Sequence, residues 1–335
     1  MNSRSITTLW ALVILATSVL FAPAVHGDQQ FVGIITGDVK STAHQLGMDL
    51  KALAKRYGLH VAVFNSAGSV ENIYAVYQRP GNHIGLVQSD VLAFVAKVDS
   101  DPLLKLMADK IKWVYPLHMQ PVHVLAHKAI QRFDDLEGQR VAIGDVHSGT
   151  YLTSRLLFEL SGVAPREIIA IGDRQALDSL KAGTIDAMIT IDGFPVERLA
   201  LEVAAADGLH LVPVDHANIR SFYPVSTIPT GIYSWQAADV DTVGVKSILV
   251  AYDFRNRHCQ TIGRVARLIK DHLAWLQLNG HPAWKTVDLS ATVKGWKQYK
   301  CVNQYLPPIV ADEATAIADR EPNPVADAIQ AVFRP

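Results

Sequence analysis

The feature that most constrains this chain is a unit that repeats from Phe31 onward: a short β-branched run, a turn of Gly, Ser, Asn or Asp, then a helix-length amphipathic stretch. Strands joined by helical segments of that length pair in parallel, with the helices packed on the sheet faces, so the repeat predicts an α/β fold of mostly parallel sheet. The first series reads as strand 31–35, turn Thr36-Gly37-Asp38 and helix 42–56; strand 60–64, turn 65–68 and helix 69–77; then strand 84–87 and turn 88–90.

A strand at 121–126 precedes a fresh series: strand 141–143, loop 144–149, helix 150–160, strand 168–171, helix 173–182, strand 187–191, turn Asp192-Gly193, and a helix opened by Pro195. Residues 215–229 read as irregular. Strand character returns at 230–233 and 243–252, followed by long helices through Gln277. Two series joined by two passages of chain predict two lobes on a hinge. Lobe 1 is expected to comprise 28–120 and 229–312 and lobe 2 to comprise 121–228, with crossovers near 119–122 and 228–232; residues 313–335 read as a loosely attached tail.

Ahead of the repeat, Arg4 precedes an apolar run from Leu9 to Ala22, and small residues lead up to Gly27. That pattern predicts a cleaved signal peptide over residues 1–27, because the run is shorter than the roughly 20 apolar residues a membrane-spanning helix needs. Export to the periplasm is the expectation. In an oxidising compartment the two cysteines, Cys259 and Cys301, are expected to bridge, closing a 42-residue loop. The formal charge of −1 becomes −2 when Arg4 is removed with the signal segment, which argues against nucleic acid as a partner. The expected partner is a small molecule, and the expected state a monomer.

In an open α/β sheet ligands bind beyond the carboxyl ends of the strands, where helix N-termini offer unpaired N–H groups. Here such turns recur in both halves. In Val146-His147-Ser148-Gly149-Thr150, Gly149 permits close backbone approach and Ser148 or Thr150 can donate to an anionic oxygen. In 65–72, Ser69 is either such a donor or a plain helix cap.

These turns resemble the extracytoplasmic solute receptors of TRAP transporters of the TAXI type. The likeness runs from about Phe31 to about Ile269 on the stretches NSAGSVENI (65–73), IGLVQSD (84–90), GQRVAIGDVHSGT (138–150), LKAGTIDA (180–187) and STIPTGIY (226–233). It implies the type II-like, two-lobed periplasmic binding fold. It also implies capture of a small carboxylate-bearing solute, such as a glutamate-like molecule, a dicarboxylate or a 2-oxoacid, and delivery to TRAP-type permease subunits. Carried over by position, the implied contacts are Ser66, Gly68, Ser69 and Val70, then Gln88 and Asp90, then His147, Ser148, Gly149 and Thr150, with Asp192 and Phe194 on the wall.

The first loop departs from the family pattern. Its glycines and paired tyrosines are replaced by Thr36-Gly37-Asp38-Val39-Lys40-Ser41-Thr42-Ala43-His44, so Thr36, Gly37, Lys40 and His44 are the candidates there and the ligand need not be the usual one. The region after His281 departs as well. A sensor that signals to a membrane partner, or a binder of a larger or apolar solute, are the competing readings. No catalytic, metal or cofactor-binding constellation is expected: His123 and His127, four residues apart on a strand, lie about 13 Å from each other, and Asp186 and Asp192 flank one strand at opposite ends. The chain is read as a binding protein and not an enzyme.

Overall fold

The computed structural model describes residues 31–97, 102–255 and 257–304. The expected signal segment 1–27 and the tail 313–335 lie outside these residues. In chain order the first elements are β1 (Phe31–Ile35), α1 (Thr42–Arg56), β2 (His60–Phe64), α2 (Ser69–Gln78), β3 (Ile84–Gln88), α3 (Ser89–Lys97), α4 (Pro102–Lys110) and β4 (Ile111–His127). Then come β5 (Arg140–Ala142), α5 (Gly149–Ser161), β6 (Glu167–Ile169), α6 (Asp173–Lys181), β7 (Ala187–Ile191), α7 (Glu197–Glu202), β8 (Leu209–Val212), α8 (Ala217–Phe222), β9 (Val225–Ile228) and β10 (Val240–Tyr252). Helices α9 (Arg257–Asp271), α10 (Leu273–Asn279) and α11 (Lys300–Gln304) complete the described chain.

Helix α1 shows how the local sequence sets its element. Ser41 caps it by accepting from the His44 N–H, Lys55 and Arg56 sit in the last turn against the helix dipole, and Leu46, Leu50 and Leu53 recur on the face that meets β1 and β2.

The strands run β2-β1-β3-β10-β4 in one half and β4-β7-β5-β6 in the other. Pairing is parallel among β1, β2 and β3 and among β5, β6 and β7. The long strands β4 and β10 are antiparallel to each other and serve both halves. Residues 111–121 of β4 pair with β10, and residues 122–126 pair with β7. Two lobes, each a mostly parallel sheet flanked by helices, therefore share a two-stranded hinge.

The second passage between lobes lies in β10, between Val243 and Gly244, and not at 228–232. Val240 to Val243 pair with β9, and Gly244 onward with β4. Residues 229–243 belong with lobe 2 because Ile228 and Tyr233 are buried with Leu125 and Leu199 there. Residues 230–233 form a turn and no strand; Gly231 has φ 83°, and Tyr233 plugs the core with its hydroxyl bonded to the Val196 N–H and to His123. Segment 215–229, expected to be irregular, holds α8 and β9, too short to show a period in sequence.

Cys259 and Cys301 are bridged, with Cα atoms 5.4 Å apart, and tie α9 to α11 in the lobe 1 core. No described helix is long and apolar enough to cross a membrane.

His118 and His123 are fully buried on β4, and burial pushes them down to about 3 and about 4 respectively. His123 is satisfied as a neutral ring between the Pro121 carbonyl at 2.9 Å and the Tyr233 hydroxyl at 3.0 Å, a core histidine and not a ligand. An unfolded chain protonates both rings near pH 6.5 and the folded one does not, so unfolding takes up protons and stability falls as pH drops through 6.5. Asp192, raised by burial to about 6, acts in the opposite sense, and buried Asp90 and Asp173 share its sign at lower pH. Acidification from pH 7.5 reaches the unfolded histidine value near 6.5 before the folded Asp192 value of about 6, and His83, pushed down by burial to about 4, acts with the other two rings. Urea denaturation is expected to show a loss of roughly 1 kcal/mol between pH 7.5 and pH 6; a gain in stability over that interval contradicts the assignment.

Candidate functional site

A cavity of about 380 Å³ lies between the lobes. Four helices aim their N-termini at it: α1 through Ser41 and Ala43, α2 through Gly68 and Ser69, α5 through Ser148, Gly149 and Thr150, and α6 through Gly172 to Gln175. The first-turn N–H groups of an α-helix have no partner within the helix, and each N-terminus carries partial positive charge. Strand ends supply the rest: Gln88 from β3, Thr190 and Ile191 from β7 with Asp192 just beyond it, and Gln120 and Ser247 from the hinge strands.

Of the residues expected from sequence, Thr36, Gly37, Ser66, Gly68, Ser69, Gln88, Ser148, Gly149, Thr150 and Asp192 line the cavity. Their hydroxyls are not equivalent. Ser148 caps α5, accepting from the Tyr151 N–H at 3.1 Å and donating to the Asp145 carbonyl at 2.7 Å. The Ser66 hydroxyl donates to Asn72 at 2.6 Å and accepts from the Gly68 N–H. Thr36 donates to the Phe64 carbonyl at 2.9 Å. Ser69 is different: Gly68 holds the cap position of α2, with φ 134°, and the Ser69 oxygen accepts from the Gln88 N–H at 3.1 Å, leaving its proton to give. No described residue engages the Thr150 hydroxyl. Ser69 and Thr150, at the N-termini of α2 and α5, are therefore hydroxyl donors available to a bound anion.

The other expected residues lie off the cavity wall. Val70 packs into the lobe 1 core. His44 sits 3.1 Å behind Thr36. Phe194 is half-buried in the turn after β7. His147 is exposed beside Asp145, and only its carbonyl takes part in the cleft, accepting the Glu71 N–H at 3.1 Å. Lys40 pairs with Glu202 at the cleft mouth, 2.9 Å away. Asp90 is 3 % exposed in the seam between α3 and α5. Its carboxylate accepts from Thr153 at 2.6 Å and Tyr223 at 3.1 Å, both in lobe 2, and burial raises its affinity for a proton. A turn that ends a strand points to the site only if its side chains face inward, and helix α3 carries Asp90 away from it.

The structure adds residues that sequence patterns did not single out. Arg198 on α7, 8 % exposed, brings a guanidinium to the cavity wall, and Arg174 a second at the start of α6. Asp173 accepts from the Thr190 hydroxyl at 2.7 Å, and burial raises its proton affinity. Gln120 is 6 % exposed with its Oε1 unbonded among the described residues, as is the Oε1 of Gln88. Gln120 had one legible signal: it is a polar residue inside an apolar strand where a crossover was expected.

The lobes meet across this cavity. Asp192 accepts the Thr42 N–H at 2.9 Å, Thr42 donates its hydroxyl to the Gly193 carbonyl at 3.2 Å, and a Cβ on Gly149 would fall 1.8 Å from Gln88 Oε1 and 2.8 Å from Ser69 Oγ. The cleft can thus hold an anionic group where the touching N-termini of α2 and α5 face the cavity, and a hydrogen-bond donor against the carboxylates of lobe 2.

The sequence pattern of the NMT1-like family matches residues 34–295. Among solved structures the chain is similar to the periplasmic binding protein BugD, at 12 % identity and a TM-score of 0.53, over 90 % of this chain and 97 % of that one. It is likewise similar to MatC from Rhodopseudomonas palustris with bound malate, at 17 % identity and a TM-score of 0.54, over 89 % and 98 %. Both likenesses establish the two-lobed periplasmic binding fold.

Proposed function

The chain belongs to the NMT1-like family, and from that membership and the cleft described above we propose that it is a periplasmic solute-binding receptor that captures a small carboxylate-bearing solute and performs no chemistry on it. The observation that carries this reading is the convergence of four helix N-termini on one cavity between two lobes. A cavity of about 380 Å³ suits a small solute. In this reading the carboxylate lies in the cavity against the N-termini of α2 and α5, where Ser69 and Thr150 donate to it, and the Arg198 guanidinium adds positive charge. Asp173 and Asp192 take a donor at the other end of the solute. MatC, similar in fold, has a dicarboxylate, malate, bound. Delivery to TRAP-type permease subunits is supported by the loop stretches shared with the TAXI-type receptors and extends the same proposal, as does an N-terminal export signal.

A thermal-shift screen of amino acids, dicarboxylates and 2-oxoacids tests the reading. A solute present at 100 times its dissociation constant stabilises the native state by about 2.7 kcal/mol, which moves the melting midpoint by roughly 5 °C. Ser69→Ala and Thr150→Ala are each expected to weaken the solute found by about tenfold or more in calorimetry, since each removes a hydrogen bond to a charged group. A screen in which no carboxylate shifts the midpoint, or full affinity in both variants, sinks the reading.

A further inference from the structure

At the mouth of the cleft four charged side chains alternate across the gap between lobes. Lobe 1 contributes Asp38 and Lys40 from the turn between β1 and α1; lobe 2 contributes Arg198 and Glu202, one helical turn apart on α7. Lys40 Nζ lies 2.9 Å from Glu202 Oε1, Arg198 Nη2 lies 3.9 Å from Asp38 Oδ1, and Arg198 Nη1 bonds Glu202 Oε1 at 3.1 Å. Lys40 is the foremost cause holding the Glu202 carboxyl below its ordinary range.

Both sides of this cluster are braced. In the turn, Asp38 Oδ1 accepts the Lys40 N–H at 2.9 Å and the Asp38 carbonyl accepts the Ser41 N–H at 2.9 Å. On α7, Trp235 donates to the Leu199 carbonyl at 3.0 Å, and Lys181, paired with Asp207, donates to the Glu202 carbonyl. The charges are thus presented by two braced edges, one on each lobe.

We propose that Asp38, Lys40, Arg198 and Glu202 form an interlobe charge latch that holds the cleft closed, with Arg198 as its inner member. Arg198 lines the cavity; Lys40 and Glu202 do not. Lys40 and Glu202 are therefore positioning residues that act on closure without touching the solute. An exposed ion pair contributes little to the stability of a fold. A pair made in only one of two conformers, however, contributes its whole interaction to the balance between them, and that balance is a few kcal/mol. The same logic makes closure sensitive to salt.

Two backbone N–H groups report closure directly: Thr42, which donates to Asp192, and Glu71, which donates to the His147 carbonyl, each across the cleft. Hydrogen exchange at these amides is measured by NMR on the full chain with no solute added, with the Ile34 amide of β1 as the reference for global unfolding. K40E and E202K are each expected to speed exchange at Thr42 and Glu71 about three- to tenfold and to leave Ile34 unchanged. The swap K40E/E202K places two acids opposite two bases and is expected to restore slow exchange. In the unmodified protein, 1 M NaCl is expected to speed the same two amides, which keeps the proposal testable if a variant folds poorly. Singles that exchange like the wild type, a swap as fast as the singles, or insensitivity to salt each overturn the latch. The inference rests on the two-lobed binding reading but not on the solute, so a failed carboxylate screen with exchange as stated here overturns the ligand assignment alone.

Discussion

Gly149→Ala is expected to leave both lobes folded and to lower solute affinity about 5- to 150-fold, the equivalent of 1–3 kcal/mol of overpacking. Gly149 opens α5 in lobe 2, and its α-carbon faces Gln88 and Ser69 of lobe 1. The added methyl would lie 1.8 Å from Gln88 Oε1, 2.5 Å from its Cδ and 2.8 Å from Ser69 Oγ. Gln88 has little room to rotate away, being 4 % exposed with its Nε2 bonded to the Ile191 carbonyl at 3.4 Å. The clash is made only across the cleft, so the open protein accommodates the methyl and the closed one does not. Calorimetry with the solute found in the screen measures the loss, and faster exchange at Thr42 and Glu71 registers the same defect without solute. Wild-type affinity in Gly149→Ala would mean that α5 and α2 do not approach in the bound state.

The largest effect on stability is expected from removing the disulfide. Replacing Cys259 and Cys301 together with Ala is expected to cost about 2–4 kcal/mol and to lower the melting midpoint by roughly 4–7 °C. The bridge spans 42 residues and sits in the lobe 1 core with Trp284, Tyr299 and Leu276. Between α10 and α11 the chain has almost no regular structure. Apart from the disulfide it is held by the buried Trp284 and Tyr299, by one parallel bridge between Trp113 and Gln298, and by bonds such as Trp113 Nε1 to the Trp296 carbonyl at 3.0 Å and Trp284 Nε1 to Asp49 at 2.9 Å. A segment with so few ladder bonds depends on its crosslink more than a strand or helix does. Urea midpoints of oxidised wild type and the double variant give the difference, and equal midpoints would show that packing alone holds the segment.

Much of the architecture was readable along the chain. The alternation of β-branched runs with amphipathic stretches located β1 to β3 and β5 to β7 within a residue or two, because strand and helix periodicity is a property of neighbours. Ser69, Ser148 and Thr150 were legible for the same reason, since a turn that ends a strand and opens a helix lies at the carboxyl edge of the sheet, whereas Thr36, Ser66 and Gln88 were named only through the likeness to the TAXI-type receptors.

What local pattern left undecided depends on residues far apart in sequence. Arg198 reads as an ordinary helical arginine until α7 is set beside the turn at Asp38. Lys40 reads as a ligand contact until Glu202, 162 residues away, takes its charge. Asp90 reads as a site residue until α5 and Tyr223 cover it. Residues 229–243 read as part of lobe 1 until β9 pairs with β10. Periodicity and turn chemistry thus set the elements and the edge on which a ligand binds. Long-range packing chose which charges face the cavity and where the hinge runs, since burial and electrostatic pairing act through space and leave no periodic trace in the chain.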